Sequence, residues 1–227
     1  MNPYPVSAAL RSSAPLLEKI AARGRRWTQA LARRDDELTR TRGLFKLILE
    51  DLKRHMWDTS LPGFRALAVY RFGVWARTLR FLPLRILFIW LHTTLFRFIR
   101  NNYGIELYAS AKVGRRFLIG HQSGIVIHRF ATFGNDCVIR QNVTLGEAGK
   151  GRDNFSAGLG PVIGDDVDIG AGVVIIGNVR IGDNVRIGPN AVVLTNIPSN
   201  ATVLAPVSRA IVREPLASSE DSTPQEG

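Results

Sequence analysis

Between Glu106 and Pro198 the chain repeats itself every six residues, and that period rules out most folds. The hexads beginning Ile163-Gly164, Ile169-Gly170, Ile175-Ile176, Ile181-Gly182, Ile187-Gly188 and Val193-Leu194 follow one another without a slip. An earlier set begins at Val113-Gly114, Ile119-Gly120 and Ile125-Val126 and resumes at Phe133-Gly134, Ile139-Arg140 and Leu145-Gly146. The reading places a two-residue excess near Ala131-Thr132, and an irregular stretch, 147–162, separates the two sets. Four residues after each starter of the second set stands a small or β-branched side chain: Val167, Val173, Val179, Val185 and Ala191. A helix cannot put residues six apart on one face without also using those three and four apart, and an alternating strand has no need of Gly after the aliphatic. Three hexads closing a triangular coil of about 18 residues satisfy both demands, with the aliphatic inward and each coil stacked on the next. Four to five such coils fit here, preceded by something of a different kind.

That something is basic. Residues 1–104 carry 19 Lys and Arg against 7 Asp and Glu, and residues 105–227 carry 11 against 12, so the net charge of +11 belongs wholly to the first part. Residues 1–43 hold no persistent apolar face and read as a flexible extension. From 44 to 104 the reading is helical: Leu44, Leu47, Ile48 and Leu52 form one stripe, Phe64, Leu67, Ala68, Phe72 and Trp75 a second, and a strongly apolar third helix follows Pro83. The longest uncharged run in that third helix, Ile86–Phe96, has 11 residues. A bilayer crossing takes about 20, so the sequence reading rejects a membrane span. It leaves a peripheral contact with anionic lipid through Arg77, Arg80, Arg85, Arg97 and Arg100 as a candidate, and no nucleic-acid partner. One cysteine excludes a disulfide framework and fits a reducing compartment. The expected organisation is thus 1–43 extension, 44–104 helices, 105–212 solenoid and 213–227 polar tail.

Three segments carry a resemblance to a known family: LEDLKRHMWDTS with GFRALAVYRFGVW, then YGIELYASAKVGRRFLIGHQSGIVI, then IRQNVTLGEAGKG. Together with the hexads they resemble the left-handed parallel β-helix acyltransferases, over roughly residues 46–213. Within that family the chain is similar to serine O-acetyltransferases and to colanic-acid-type polysaccharide O-acetyltransferases. GRRF and Asp153-Asn154 resemble the polysaccharide branch. The resemblance implies a left-handed β-helix with an α-helical approach, acetyl-CoA as co-substrate, no metal, and a homotrimer or dimer of trimers.

Acetyl transfer to an alcohol needs a base, because a hydroxyl is a weak nucleophile near pH 7, and histidine suits the task. His121, after Ile119-Gly120, matches the family's catalytic histidine, and Glu106 matches the acid that orients it, an aspartate in serine acetyltransferases. Gly146, Gly149, Lys150, Ala171, Gly172 and Arg186 match positions along the acetyl-CoA path. Asp58, Asp153 and Asn154 are the acceptor-side candidates. GEAGKG lacks Walker A spacing. Cys137 takes a small inward position and reads as core. A second histidine of the serine enzymes' acceptor pocket is Gly160 here, in GLGPVIG.

Those departures favour a glycan acceptor: an acetyl-CoA-dependent O-acetyltransferase of exopolysaccharide or capsule synthesis, cytoplasmic or peripheral at the inner membrane face. The alternatives are a serine O-acetyltransferase of cysteine synthesis and a non-catalytic hexapeptide scaffold that binds membrane or nucleic acid.

Overall fold

In the computed structural model, which describes residues 38–147 and 160–206, the hexads close into a triangular prism of three parallel sheets. The first sheet stacks β1 (Ile105–Leu107), β4 (Ile125–Ile127), β7 (Thr144–Gly146), β10 (Val174–Ile176) and β13 (Val192–Val193). The second stacks β2 (Lys112–Val113), β5 (Thr132–Phe133), β8 (Val162–Ile163) and β11 (Arg180–Ile181). The third stacks β3 (Leu118–Ile119), β6 (Val138–Ile139), β9 (Asp168–Ile169), β12 (Arg186–Ile187) and β14 (Thr202–Val203). Starters such as Val113, Ile139, Ile169 and Ile181 and their small partners Val167, Val173 and Val185 are fully buried along the axis. This is the β-solenoid the period predicts.

At one prism edge a ladder of side chains replaces the hydrogen bonds a turn would leave unmade. Arg115 N donates to Asn135 Oδ1, Asn135 N to Asp165 Oδ1, Asp165 N to Asp183 Oδ1, and Asp183 N to Ser199 Oγ, at 2.6–3.0 Å. Each coil therefore holds the next by its corner.

Strand register corrects the position of the two-residue excess. Ile127 pairs with Leu145, 18 residues on, but Ile119 pairs with Ile139, 20 residues on. Gly120 N bonds Ile139 O, and Asn142 N bonds Ser123 O. His121 and Gln122 are left with no counterpart in the coil above. The excess lies in the corner between β3 and β4, and not near Ala131; an inward-facing Ile at both 125 and 127 hides the slip from a period count.

Three helices precede the prism: α1 (Leu44–Arg54), α2 (Pro62–Thr78) and α3 (Leu82–Tyr103). The breaks are those the sequence carries, with Pro at the start of α2 and of α3 and Gly104 left-handed at the end of α3. Gly63 of α2 lies so close to β3 that an added Cβ would stand 2.2 Å from Ile119 O. Tyr70 Oη donates to Ala111 O (2.9 Å) and accepts from Val113 N (3.1 Å). Buried Arg71 reaches Asp51 of α1 at 2.8 Å, Val113 O at 2.7 Å and Gly114 O at 2.5 Å. One guanidinium thus ties two helices to the first coil.

α3 corrects the reading of its length. It runs 22 residues, long and apolar enough to cross a membrane by length and composition, because Arg85 and Arg97 interrupt the apolar run without ending the helix. Only 11% of its most apolar window is buried.

Candidate active site

His121 stands exposed on the inserted pair of residues, and its imidazole has no hydrogen-bond or ion-pair partner among the described residues. The strand that leads to it is held from behind. His55, which caps the end of α1, donates from Nδ1 to Asp51 O (2.7 Å), and Ile119 N lies 3.3 Å from its Nε2. Burial lowers the His55 pKa, consistent with a neutral ring that accepts at Nε2.

Glu106 does not meet His121 within the chain. It sits on the outer face of β1, opposite Val126, and its carboxylate accepts the Tyr108 hydroxyl, which raises the Tyr108 pKa. The expected dyad is therefore not assembled within the single chain.

The edge that carries His121 continues up the prism through Arg140, Gly170-Ala171 and Gly188-Pro189. There it borders an open cleft of about 440 Å³, lined among others by Arg140, Asp168, Ala171, Arg186, Pro189 and Leu204. Gly172 is the left-handed corner residue beside it, at φ 70°. Arg186 donates to Asp166 O (2.8 Å) with both side chains about half exposed, and Arg140 pairs with Asp168. Ala171, Gly172 and Arg186 thus share one edge with His121. Gly146 lies on the next edge, at the end of β7. Gly149, Lys150, Asp153 and Asn154 fall outside the described residues. Asp58 is exposed in the turn between α1 and α2, where it accepts from Ser60 N at 2.7 Å, and it does not line the cleft. Those contacts to Ser60 lower its pKa.

Sequence reasoning passed over one pair at that next edge. His128 Nε2 stands 3.4 Å from Glu147 Oε2, both side chains mostly buried, while Phe130 N–H approaches His128 Nδ1 at 3.4 Å. The 3.4 Å approach to Glu147 is an ion-pair distance without hydrogen-bond geometry, and among the described residues Nε2 and Glu147 Oε1 have no hydrogen-bond partners. The signal was the 18-residue register, which stacks position 128 beside 146 and its neighbour 147. Gly160, entering the same edge, has no room for a side chain: a Cβ would stand 2.6 Å from the Phe130 backbone. Cys137 is fully buried, burial pushes its thiol up to about 12, and its Sγ lies 3.1 Å from Gly164 O, so it is core as expected.

Residues 160–195 match the bacterial transferase hexapeptide family (six repeats). A serine acetyltransferase from Helicobacter pylori (strain ATCC 700392 / 26695) is 33% identical over 174 residues, covering 75% of this chain and 95% of that protein. One from Staphylococcus aureus (strain Mu50 / ATCC 700699) is 46% identical over 101 residues, 44% of this chain and 46% of its own length; the chain thus spans about half of that relative. Among solved structures, the Entamoeba histolytica serine acetyltransferase isoform 3 in complex with cysteine superposes with a TM-score of 0.60 at 27% identity, covering 76% of this chain and 62% of that one. The Neisseria gonorrhoeae serine acetyltransferase gives 0.59 at 28%, covering 80% and 71%. These likenesses overturn the expectation of a sugar acceptor in polysaccharide synthesis. The features taken for the polysaccharide branch, GRRF and Asp153-Asn154, are short and partly in the interrupting stretch, and the longer match outweighs them.

Proposed function

The chain belongs to the serine acetyltransferase family of hexapeptide-repeat transferases, and on that premise we propose that it transfers the acetyl group of acetyl-CoA to the hydroxyl of serine. The observation that carries the reading is the position of His121, surplus to the coil, exposed, and on the same edge as the cleft. A base that must reach a substrate oxygen needs that freedom. The serine hydroxyl oxygen attacks the thioester carbonyl carbon as His121 takes its proton. The tetrahedral intermediate then collapses with cleavage of the C–S bond, and the imidazolium returns the proton to the departing CoA sulfur. Acetyl-CoA lies along the edge, with Ala171 and Gly172 allowing close approach and Arg186 at the phosphate or adenosine end. Gly146, Gly149 and Lys150 remain candidates for its reactive end, and Asp58, Asp153 and Asn154 for the acceptor.

The active assembly is a homotrimer. Within one chain the His121 edge and the Gly146–His128 edge are separated by a face of about five extended residues, roughly 16 Å. A threefold arrangement brings one edge of each chain against the other edge of its neighbour. Glu106 turns from Tyr108 to orient His121 in that setting, and His128, beside Glu147, supplies the acceptor-side imidazole that position 160 lacks.

The test is CoA release with L-serine as acceptor. Serine-dependent turnover is expected, and His121→Ala should reduce it roughly 10²–10⁴-fold while leaving the oligomer intact. Undiminished turnover in that variant removes His121 from the chemistry. Absence of both turnover and acetyl-CoA binding by calorimetry would restore the scaffold alternative.

A further inference from the structure

One surface has no use in acetyl transfer. α3 packs on α2 and the prism through Phe88, His92, Phe96 and Ile99, and turns its other side to solvent. That side carries Leu84, Leu87, Leu91, Leu95 and Phe98 at spacings of three and four, flanked by Ile86 and Trp90. Trp90 is 66% exposed, Ile86 59% and Leu87 53%, and Phe81, just before the helix, 68%. A continuous apolar stripe left bare on a folded body marks a contact surface.

The charge around it selects the partner. Residues 61–104 contain seven Arg, no Lys and no acidic residue. Arg80, Arg85, Arg97 and Arg100 form no ion pair among the described residues. Packing α3 on a second copy of itself would bury the stripe but crowd these arginines together with no counter-charge. A surface of anionic headgroups over acyl chains matches both components, apolar stripe to chains and arginines to phosphates. Trp90 is of the residue type that settles at that boundary.

Geometry decides that the helix lies on the bilayer and does not cross it. Its inner face is bound to α2, which Tyr70 and Arg71 fix to the first coil, and Gly104 turns it directly into β1. Crossing would strip α3 from all of these contacts. We propose that α3 docks the protein on an anionic membrane surface, with its Leu84–Phe98 stripe in the acyl boundary and its arginines at the headgroups.

The experiment is flotation of the full chain with vesicles of equal parts phosphatidylglycerol and phosphatidylcholine, against phosphatidylcholine alone. The chain should float with the anionic vesicles, more weakly as salt rises, and barely with the neutral ones. Leu87→Glu with Trp90→Glu should cut the bound fraction at least tenfold. Arg80→Gln, Arg97→Gln and Arg100→Gln should each cost about fivefold. All four variants should keep serine-dependent CoA release, which shows that they fold. A chain that stays behind with anionic vesicles overturns the proposal. So does undiminished flotation of all four variants, which would assign binding to the basic residues 1–37. Loss of an oligomer by the Glu variant in sedimentation velocity, without any vesicle binding, would make α3 an interface between copies.

Discussion

A residue in a two-residue corner is bracketed by the coils above and below, whereas His121 and Gln122 have no counterpart above them. That freedom is bought with a left-handed Ser123 (φ 85°) and Gly124 (φ 65°), which return the chain to register before Ile125. The opposite condition holds at Gly160, pressed on the Phe130 backbone, and the proposed function assigns the acceptor-side imidazole to His128 instead. His128→Ala should raise the KM for serine roughly 10–100-fold, the worth of a hydrogen bond to a charged group, with little change in Tm. Adding Gly160→His should not restore it and should lower Tm, since any side chain there displaces the Phe130–Ala131 turn. Steady-state kinetics and thermal melts on the two variants check both statements. An unchanged KM in His128→Ala would leave the pair with Glu147 a structural contact only.

The helices and the first coil are joined by polar groups that lie in the dry interior. Arg71 and Asp51 are 4% and 1% exposed, and Asp51 Oδ1 also faces Phe117 N at 3.3 Å. Cutting such a pair strands the other charge, so Arg71→Met should destabilise the chain by about 3–5 kcal/mol in urea unfolding. A loss under 1 kcal/mol, within the range of exposed ion pairs, would show that water reaches the pair. Between α2 and α3 the contact is an imidazole: the His92 ring lies where a Cβ on Gly73 would stand, and neither ring nitrogen has a hydrogen-bond partner among the described residues. Burial holds its pKa down, from the ordinary 6.5 to about 4. An unfolded chain takes up that proton near pH 6.5 and the folded chain only near 4, so acid favours unfolding between the two values. Stability from this group is therefore complete above about pH 6.5 and falls as pH drops toward 4; buried His55 adds a loss of the same sign. His92→Leu should shrink the drop in Tm between pH 7 and pH 5. An equal drop in the variant would assign the acid sensitivity to His55 or to the carboxylates.

At the scale of the molecule, the prism distributes the candidate residues over two edges of one face. In the proposed trimer a neighbouring chain closes that distance. Co-expressing His121→Ala with His128→Ala tests this directly. If the site forms between chains, mixed trimers regain intact interfaces, about a quarter of the total for random assembly. If both histidines act within one chain, no active site is regained and CoA release stays at the level of the single variants.

The hexad period alone determined the solenoid, its three sheets and its buried starters, because a stacked coil repeats the same local demand on every residue. Composition likewise located the positive charge in residues 1–104, ahead of the prism, and Pro and Gly marked where α2, α3 and the prism begin. What the period could not determine was where the excess residues lie, since Ile125 and Ile127 both face inward and either satisfies the pattern. Only register across the coils gave that answer, and it put His121 on the insertion. The Arg71–Asp51 tie, the His128–Glu147 contact and the crowding at Gly160 each join segments 18 to 30 residues apart or cross from helix to coil. Contacts of that kind depend on which atoms the closed prism brings within a few ångströms, and a linear pattern does not carry that distance.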